Sequence, residues 1–316
     1  MRERRRGFGA GGRMPVIAAA VGLVLLGAFG TVGAAAHQRA FESADAAVGA
    51  LVDAAKAGDV DALLAILGPE ARELIVSGDP VADRHARERF VARAGERTYL
   101  ARVGDDFAVL SIGNDDWPFP IPLTKDDGAW TFDTRAGKEE VLNRRIGRNE
   151  LYTIQICQEY VTAQRDYAAR MAAAGGPAEY AQRVHSTPGT HDGLYWEAAS
   201  DGDLSPIGPL MATATAEGYG PGKGGAARPF HGYLYRILRM QGPHAPGGRR
   251  SYVRDGKMTD GFALVAYPAA YGSTGVMTFI VNQQGVVFEK DLGPRTAQLG
   301  HAMTMYDPDP SWHPAE

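Results

Sequence analysis

The chain has a single cysteine, Cys157, in 316 residues. That excludes an intrachain disulfide, a four-cysteine zinc site and a cysteine-ligated iron–sulfur cluster. No H-x-x-x-H pair occurs, and there is no G-x-S-x-G nucleophile elbow. Gly272-Ser273-Thr274-Gly275 has the wrong spacing and precedes a strand-like segment instead of a helix. Gly220-Pro221-Gly222-Lys223-Gly224-Gly225 fits G-x-G-x-x-G in form only. It lacks a strand before it and a helix after it, and Gly224 stands where a phosphate loop needs Ser or Thr. The segment reads as a loop, and no nucleotide cofactor is expected.

Long apolar runs are scarce too, with one exception at the start. Met1–Arg13 carries five arginines against Glu3, and an uncharged stretch follows from Met14 to Ala36, ending Gly33-Ala34-Ala35-Ala36. This is the order of a secretory signal, with cleavage expected before His37. The alternative is an uncleaved inner-membrane anchor with the protein facing the periplasm, since about 20 apolar residues span a bilayer. Arg5-Arg6-Gly7-Phe8 resembles part of a twin-arginine signal. The expected location is periplasmic or secreted, with the membrane touched only if residues 1–36 are retained. Of the 33 Lys+Arg and 37 Asp+Glu, five bases and one acid lie in that leader. The remainder therefore carries 28 against 36, a formal net charge of −8. Such a surface repels phosphate backbones, so no nucleic-acid partner is expected.

The 280 residues from His37 onward suggest about two domains, placed at 37–137 and 138–316. The fold class expected is α+β. Ser43 caps a helix ending near Gly58, and Asp59 caps Val60–Leu67 before Gly68-Pro69. A further helix is expected over Asp83–Arg93. Short strands follow at Thr98–Val103, Phe107–Ile112, Phe119–Thr124 and Ala129–Asp133, separated by Gly/Asp/Asn turns. Helices followed by an antiparallel meander resemble the cone-shaped nuclear-transport-factor-like and cystatin-like domains. Leu151, Ile154, Cys157, Tyr160, Val161 and Tyr167 then mark one face of a long helix, with Glu139, Glu140, Arg144 and Arg145 at an ion-paired helix start. Thr187–Ala227 is expected to be Gly/Pro-rich loop. Strands return at Gly232–Met240, Gly261–Ala266 and a hairpin of Gly275–Val281 with Gly285–Leu292, turned by Asn282-Gln283-Gln284-Gly285.

Several motifs in order resemble one family: Ser77-Gly78-Asp79-Pro80, the Trp117–Leu123 proline segment, Asn143–Glu150, Ser186–Gly189 with His191–Trp196, Ser205–Leu210, Gly261–Gly293 and Asp307–Trp312. Together they look like the bacterial envelope family known as domain of unknown function 2950, over nearly all of the mature chain. The resemblance implies an envelope location and no particular activity. The order of long helix, glycine-rich middle and C-terminal strands is also similar to the globular part of type IV pilin-like proteins, without their apolar N-terminal half-helix. Fold likeness alone assigns no function.

Chemistry-bearing side chains cluster weakly. His185, His191, Asp192 and His231 are the candidate metal set; His191, Asp192 and Ser186 are the candidate catalytic set of a hydrolase. The competing reading makes His191 and Asp192 turn caps. Cys157 sits on an apolar helix face, which favours an inert thiol. Asp307 and Asp309 lack EF-hand spacing because of Pro308 and Pro310. The aromatic set Tyr195, Trp196, Tyr219, Phe230, Tyr233 and Tyr235 reads as core before it reads as groove. The leading expectation is a non-enzymatic module that binds another envelope protein, with no cofactor. The alternative is a periplasmic hydrolase or metal-dependent enzyme around His185, Ser186, His191, Asp192 and His231. A third expectation, ligand binding in the N-terminal domain, requires an apolar cavity of roughly 300 Å³ or more with convergent polar groups.

Overall fold

In the computed structural model, which describes residues 38–200, 202–220 and 228–315, the first helices are closed by their own sequence. α1 (Ala44–Ala57) is capped by the Ser43 hydroxyl, which accepts from Ala46 N, and ends at Gly58 in the left-handed region. α2 (Val60–Leu67) is capped by Asp59 and ends at Gly68. α3 (Arg72–Ile75) is a single turn. α4 (Pro80–Glu96) starts earlier than expected, because Asp79 is its N-cap and Pro80 its first residue. Proline suits that position, having no N–H to leave unpaired.

β1 (Thr98–Val103), β2 (Phe107–Ile112), β3 (Trp117–Pro118), β4 (Leu123–Asp126) and β5 (Ala129–Phe132) form an antiparallel sheet. Of the expected strand Phe119–Thr124 only Leu123 and Thr124 are extended, in β4, and β3 ends just before it. Pro118, Pro120 and Pro122 lack ladder donors, so the chain between the strands keeps one bond to β2, from Phe119 N to Leu110 O at 2.7 Å. Buried Leu51, Leu63, Ile66, Leu110, Ile112, Leu123 and Phe132 gather α1, α2 and this sheet into one core.

α5 (Thr134–Ala173) is 40 residues long and begins well before the expected apolar stripe. Asp133 caps it. Its first turns pack on the proline segment, where a Cβ on Gly137 would lie 2.4 Å from Pro120 O. Alanine normally favours a helix by about 1 kcal/mol over glycine. Here Gly137→Ala is expected to destabilise by about 2 kcal/mol, because the backbones must part; chemical denaturation checks it.

Further along, Cys157, Tyr160, Val161 and Tyr167 of α5 enter a second core with Phe262, Val265, Phe279 and Val281. α6 (Gly208–Glu217) lies inside the stretch expected to be loop. Pro209 starts it, no side chain caps it, and its Ala/Thr run has little periodicity. β6 (Tyr233–Leu238) leads to two small hairpins, β7 (Met240–Gln241) with β8 (Arg250–Ser251) and β9 (Val253–Arg254) with β10 (Lys257–Met258). β11 (Ala263–Pro268), β12 (Met277–Asn282) and β13 (Val287–Asp291) follow, then α7 (Thr296–Ala302) and β14 (His313–Pro314). The main C-terminal sheet runs β14-β13-β12-β11-β6, all antiparallel. The chain is therefore α+β. Residues 38–315 belong to one compact unit, and the expected division between 137 and 138 falls inside α5.

Two devices tie the cores together. Asp79 is 1% exposed. Its Oδ1 accepts from Val81 N and Ala82 N, and its Oδ2 accepts from the Tyr219 hydroxyl and Gly232 N, both at 3.0 Å. Arg145 of α5 donates to the carbonyls of Glu73 and Leu74 in α3 and to Ser273 Oγ. It thereby satisfies carbonyls that a helix end leaves orphaned. No helix among the described residues is long and apolar enough to cross a membrane. The expected leader, and the expected Gly220–Gly225 loop beyond Gly220, lie outside the described residues.

Candidate functional site: an arginine-rimmed cavity

α4 is a 17-residue helix with no fully buried residue. Its apolar positions Ala86 and Phe90 nevertheless face inward, across a cavity of about 490 Å³. The floor is apolar: Leu51 and Ala55 from α1, Leu63 and Leu67 from α2, Ile75, Ile112, and Trp117, Phe119 and Pro120 of the proline segment. Phe90 and Phe119 are tilted at 5.4 Å, and Phe119 meets Phe132 edge-on at 6.3 Å. The volume lies within the range of about 300–1,000 Å³ typical of small-molecule sites.

Six arginines border this floor: Arg87, Arg89 and Arg93 of α4, and Arg144, Arg145 and Arg148 of α5. One acid, Asp83, accompanies them. Both its oxygens already accept from Ser77, at 3.0 Å from N and 2.7 Å from Oγ. Burial pushes the Asp83 carboxyl above its ordinary range, against the Ser77 bonds and the Arg145 charge, which lower it. Three arginines are engaged. Arg93 pairs with Asp115 at 3.1 Å, Arg144 with Glu140 at 2.6 Å, and Arg145 serves the carbonyls above. The Arg144 and Arg93 guanidiniums also approach the Trp117 ring, at 4.9 and 5.8 Å.

The other three, Arg87, Arg89 and Arg148, have no carboxylate partner among the described residues. Desolvation, then the like charges of Arg89 and Arg145, hold the Arg148 guanidinium below its ordinary value. Unpaired cations collected beside an apolar hollow create a local positive field on an acidic protein. Such a field raises the local concentration of anions.

The residues singled out from sequence are placed differently. Asp192 accepts from Thr187 N and Oγ1 and from Thr190 Oγ1, and pairs with Arg183 at 3.2 Å. It is a turn cap, and the Thr187 backbone bond, ahead of the others, holds its carboxyl below the usual range. His191 stacks on Trp196 at 4.2 Å and pairs with Asp203 at 3.3 Å. His185 meets the Tyr195 ring edge-on, and Ser186 Oγ accepts from Gly193 N. His231 lies elsewhere, beside α6 and α5. Its φ is +49°, its ring stacks on Tyr152 at 4.5 Å, and Nε2 is 3.3 Å from Glu217. Burial lowers its pKa against the raising effects of Glu217 and Asp79.

No hydrogen bond joins any two of His185, Ser186, His191, Asp192 and His231. Among the described residues no group of three or more His, Cys, Asp or Glu is placed to hold a metal ion. Asp307 and Asp309 are likewise used locally, by His244 and Ser311. Trp196 and Tyr233 of the aromatic set are core residues.

Cys157 is fully buried, and desolvation pushes its thiol up to about 12. A thiol in that state is neither nucleophile nor ligand. Its alkylation by iodoacetamide is expected to follow unfolding, with no reaction in the native protein on the timescale of a surface cysteine.

Sequence reasoning missed the arginine rim because it comes from two helices far apart in the chain. Each half reads as a solvated face. The signal was a basic stripe, Arg87, Arg89 and Arg93, flanking Ala86 and Phe90, in an otherwise acidic protein.

Fold and site thus define an α+β protein with a basic-rimmed apolar cavity. The chain belongs to the family described as "Protein of unknown function (DUF2950)", whose model matches residues 38–315. No curated protein and no solved structure matches it.

Proposed function

We propose that this is an exported envelope protein that binds rather than catalyses, taking up a small apolar ligand in the cavity between α1, α2, α4 and α5. The cavity carries the reading: its floor is hydrocarbon, its size suits a small molecule, and its wall α4 lacks full burial without something to pack against. The basic n-region and uncharged stretch of residues 1–36 support export. The cavity favours the third expectation from sequence, ligand binding in the N-terminal domain, over the leading one, a module that binds another envelope protein.

Nile red, an uncharged apolar dye, should saturate one site on the purified protein. Ala86→Trp adds bulk at the cavity wall from an exposed helix position and should weaken that binding by about tenfold or more. Binding without saturation, or unaltered by Ala86→Trp, contradicts the reading. For export, cell fractionation should recover a product starting near His37 outside the inner membrane. An intact chain in the cytosol contradicts it.

A further inference from the structure

The chemistry of the rim and the floor restricts what the cavity can hold. Apart from the arginines, its polar side chains are Asp83, already engaged by Ser77, and the Trp117 indole. A sugar or peptide buried there would leave its own donors and acceptors unpaired, at a cost of about 1–3 kcal/mol each. The body of the ligand must therefore be hydrocarbon. The mouth imposes the opposite demand. Arg89 and Arg148 are exposed and Arg87 half-buried, and none has a counter-ion among the described residues. Guanidiniums bind phosphate and carboxylate oxygens through paired N–H donors. Arg148 feels the like charge of Arg89, and two adjoining uncompensated cations exceed what one carboxylate neutralises and suit a dianionic head.

We infer that the cavity takes a single-chain amphiphile with a phosphate monoester head, its alkyl tail among Leu51, Leu63, Phe90 and Ile112 and its head on Arg89 and Arg148. This rests on the proposed reading of the cavity as a ligand site. It explains why an acidic protein concentrates unpaired arginines beside an apolar hollow. Because the rim is open to solvent, head binding weakens as added salt screens it.

The test is calorimetric titration of the purified protein, and of Arg89→Glu and Arg148→Glu, with dodecyl phosphate, dodecanoate, dodecanol and inorganic phosphate below micellar concentrations. Both substitutions are at exposed positions, and thermal melts verify the fold of each variant. Dodecyl phosphate is expected to bind tightest, about tenfold or more tighter than dodecanol. Each reversal should weaken dodecyl phosphate by about tenfold while leaving dodecanol unchanged. Dodecanol binding as tightly as dodecyl phosphate, with both reversals silent, overturns the anionic head and leaves the apolar-ligand reading intact. Dodecanoate binding tighter than dodecyl phosphate overturns the phosphate assignment. Inorganic phosphate matching dodecyl phosphate overturns the role of the tail. If no alkyl compound binds, both the inference and the reading of the cavity fail.

Discussion

Asp79→Ala should lower the melting temperature by about 10 °C. The carboxylate is buried and serves four donors on two parts of the chain: two amides at the start of α4, Tyr219 and Gly232. Loss of an N-cap costs about 1 kcal/mol. Two further buried donors left unpaired cost about 1–3 kcal/mol each. At 2–4 °C per kcal/mol for a chain of this size class, the sum reaches that fall. Gly232 cannot be relieved by a side chain, since a Cβ there would lie 2.6 Å from Asn149 Nδ2. Asp79→Asn keeps a capping oxygen and should lose about half as much. Equal losses in the two variants, measured by calorimetry, would mean that the hydrogen bonds are not the cause.

Glu150→Ala should be nearly as damaging, by about 3 kcal/mol. Glu150 Oε1 accepts from Val276 N at 2.8 Å and Met277 N at 2.9 Å, pinning α5 to the start of β12. Bonds to a charged acceptor contribute about 1.5–3 kcal/mol each. The Tyr233 hydroxyl sits beside the same oxygen while donating to Met277 O. The neighbourhood is closed as well as bonded: a Cβ on Gly275 would lie 2.1 Å from that hydroxyl. Amide exchange should quicken first at Val276 and Met277, ahead of the β11 amides.

These two carboxylates explain part of what sequence alone could and could not convey. Ser77-Gly78-Asp79-Pro80 and the Asn143–Glu150 run stand out in the sequence, yet their partners lie 126 to 153 residues away along the chain. Local signals were mostly legible, although Asp79-Pro80, the start of α4, was not read as one. Ser43 with Gly58 and Asp59 with Gly68 bound α1 and α2 because a cap is made within a few residues. β1 and β2 also match their expected spans. Where the cue was not local, the reading slipped. α6 has no side-chain cap and a weak periodicity, so nothing in 208–217 marked it as helix. α5 was recognised by its second-core stripe from Leu151 on, whereas its first turns bury little more than Gly137 and Thr134.

The site was less legible than the fold. His185, Ser186, His191, Asp192 and His231 drew attention as reactive residue types, and each proved committed to a turn, a ring contact or an ion pair. Arginines draw little attention in sequence because most are solvated. Their meaning emerges only when α4 and α5 bring them to the mouth of one hollow.

The most direct measurement of the central claim is hydrogen–deuterium exchange of the purified protein with and without dodecyl phosphate. α4 lacks a fully buried residue, and an alkyl chain bound beneath it would supply the apolar contact it is missing, worth about 0.8 kcal/mol per buried CH₂. The account predicts slower exchange across Val81–Glu96, with the β11 and β12 amides unchanged. Unchanged exchange in α4 at saturating amphiphile, or equal slowing throughout the chain, would contradict it.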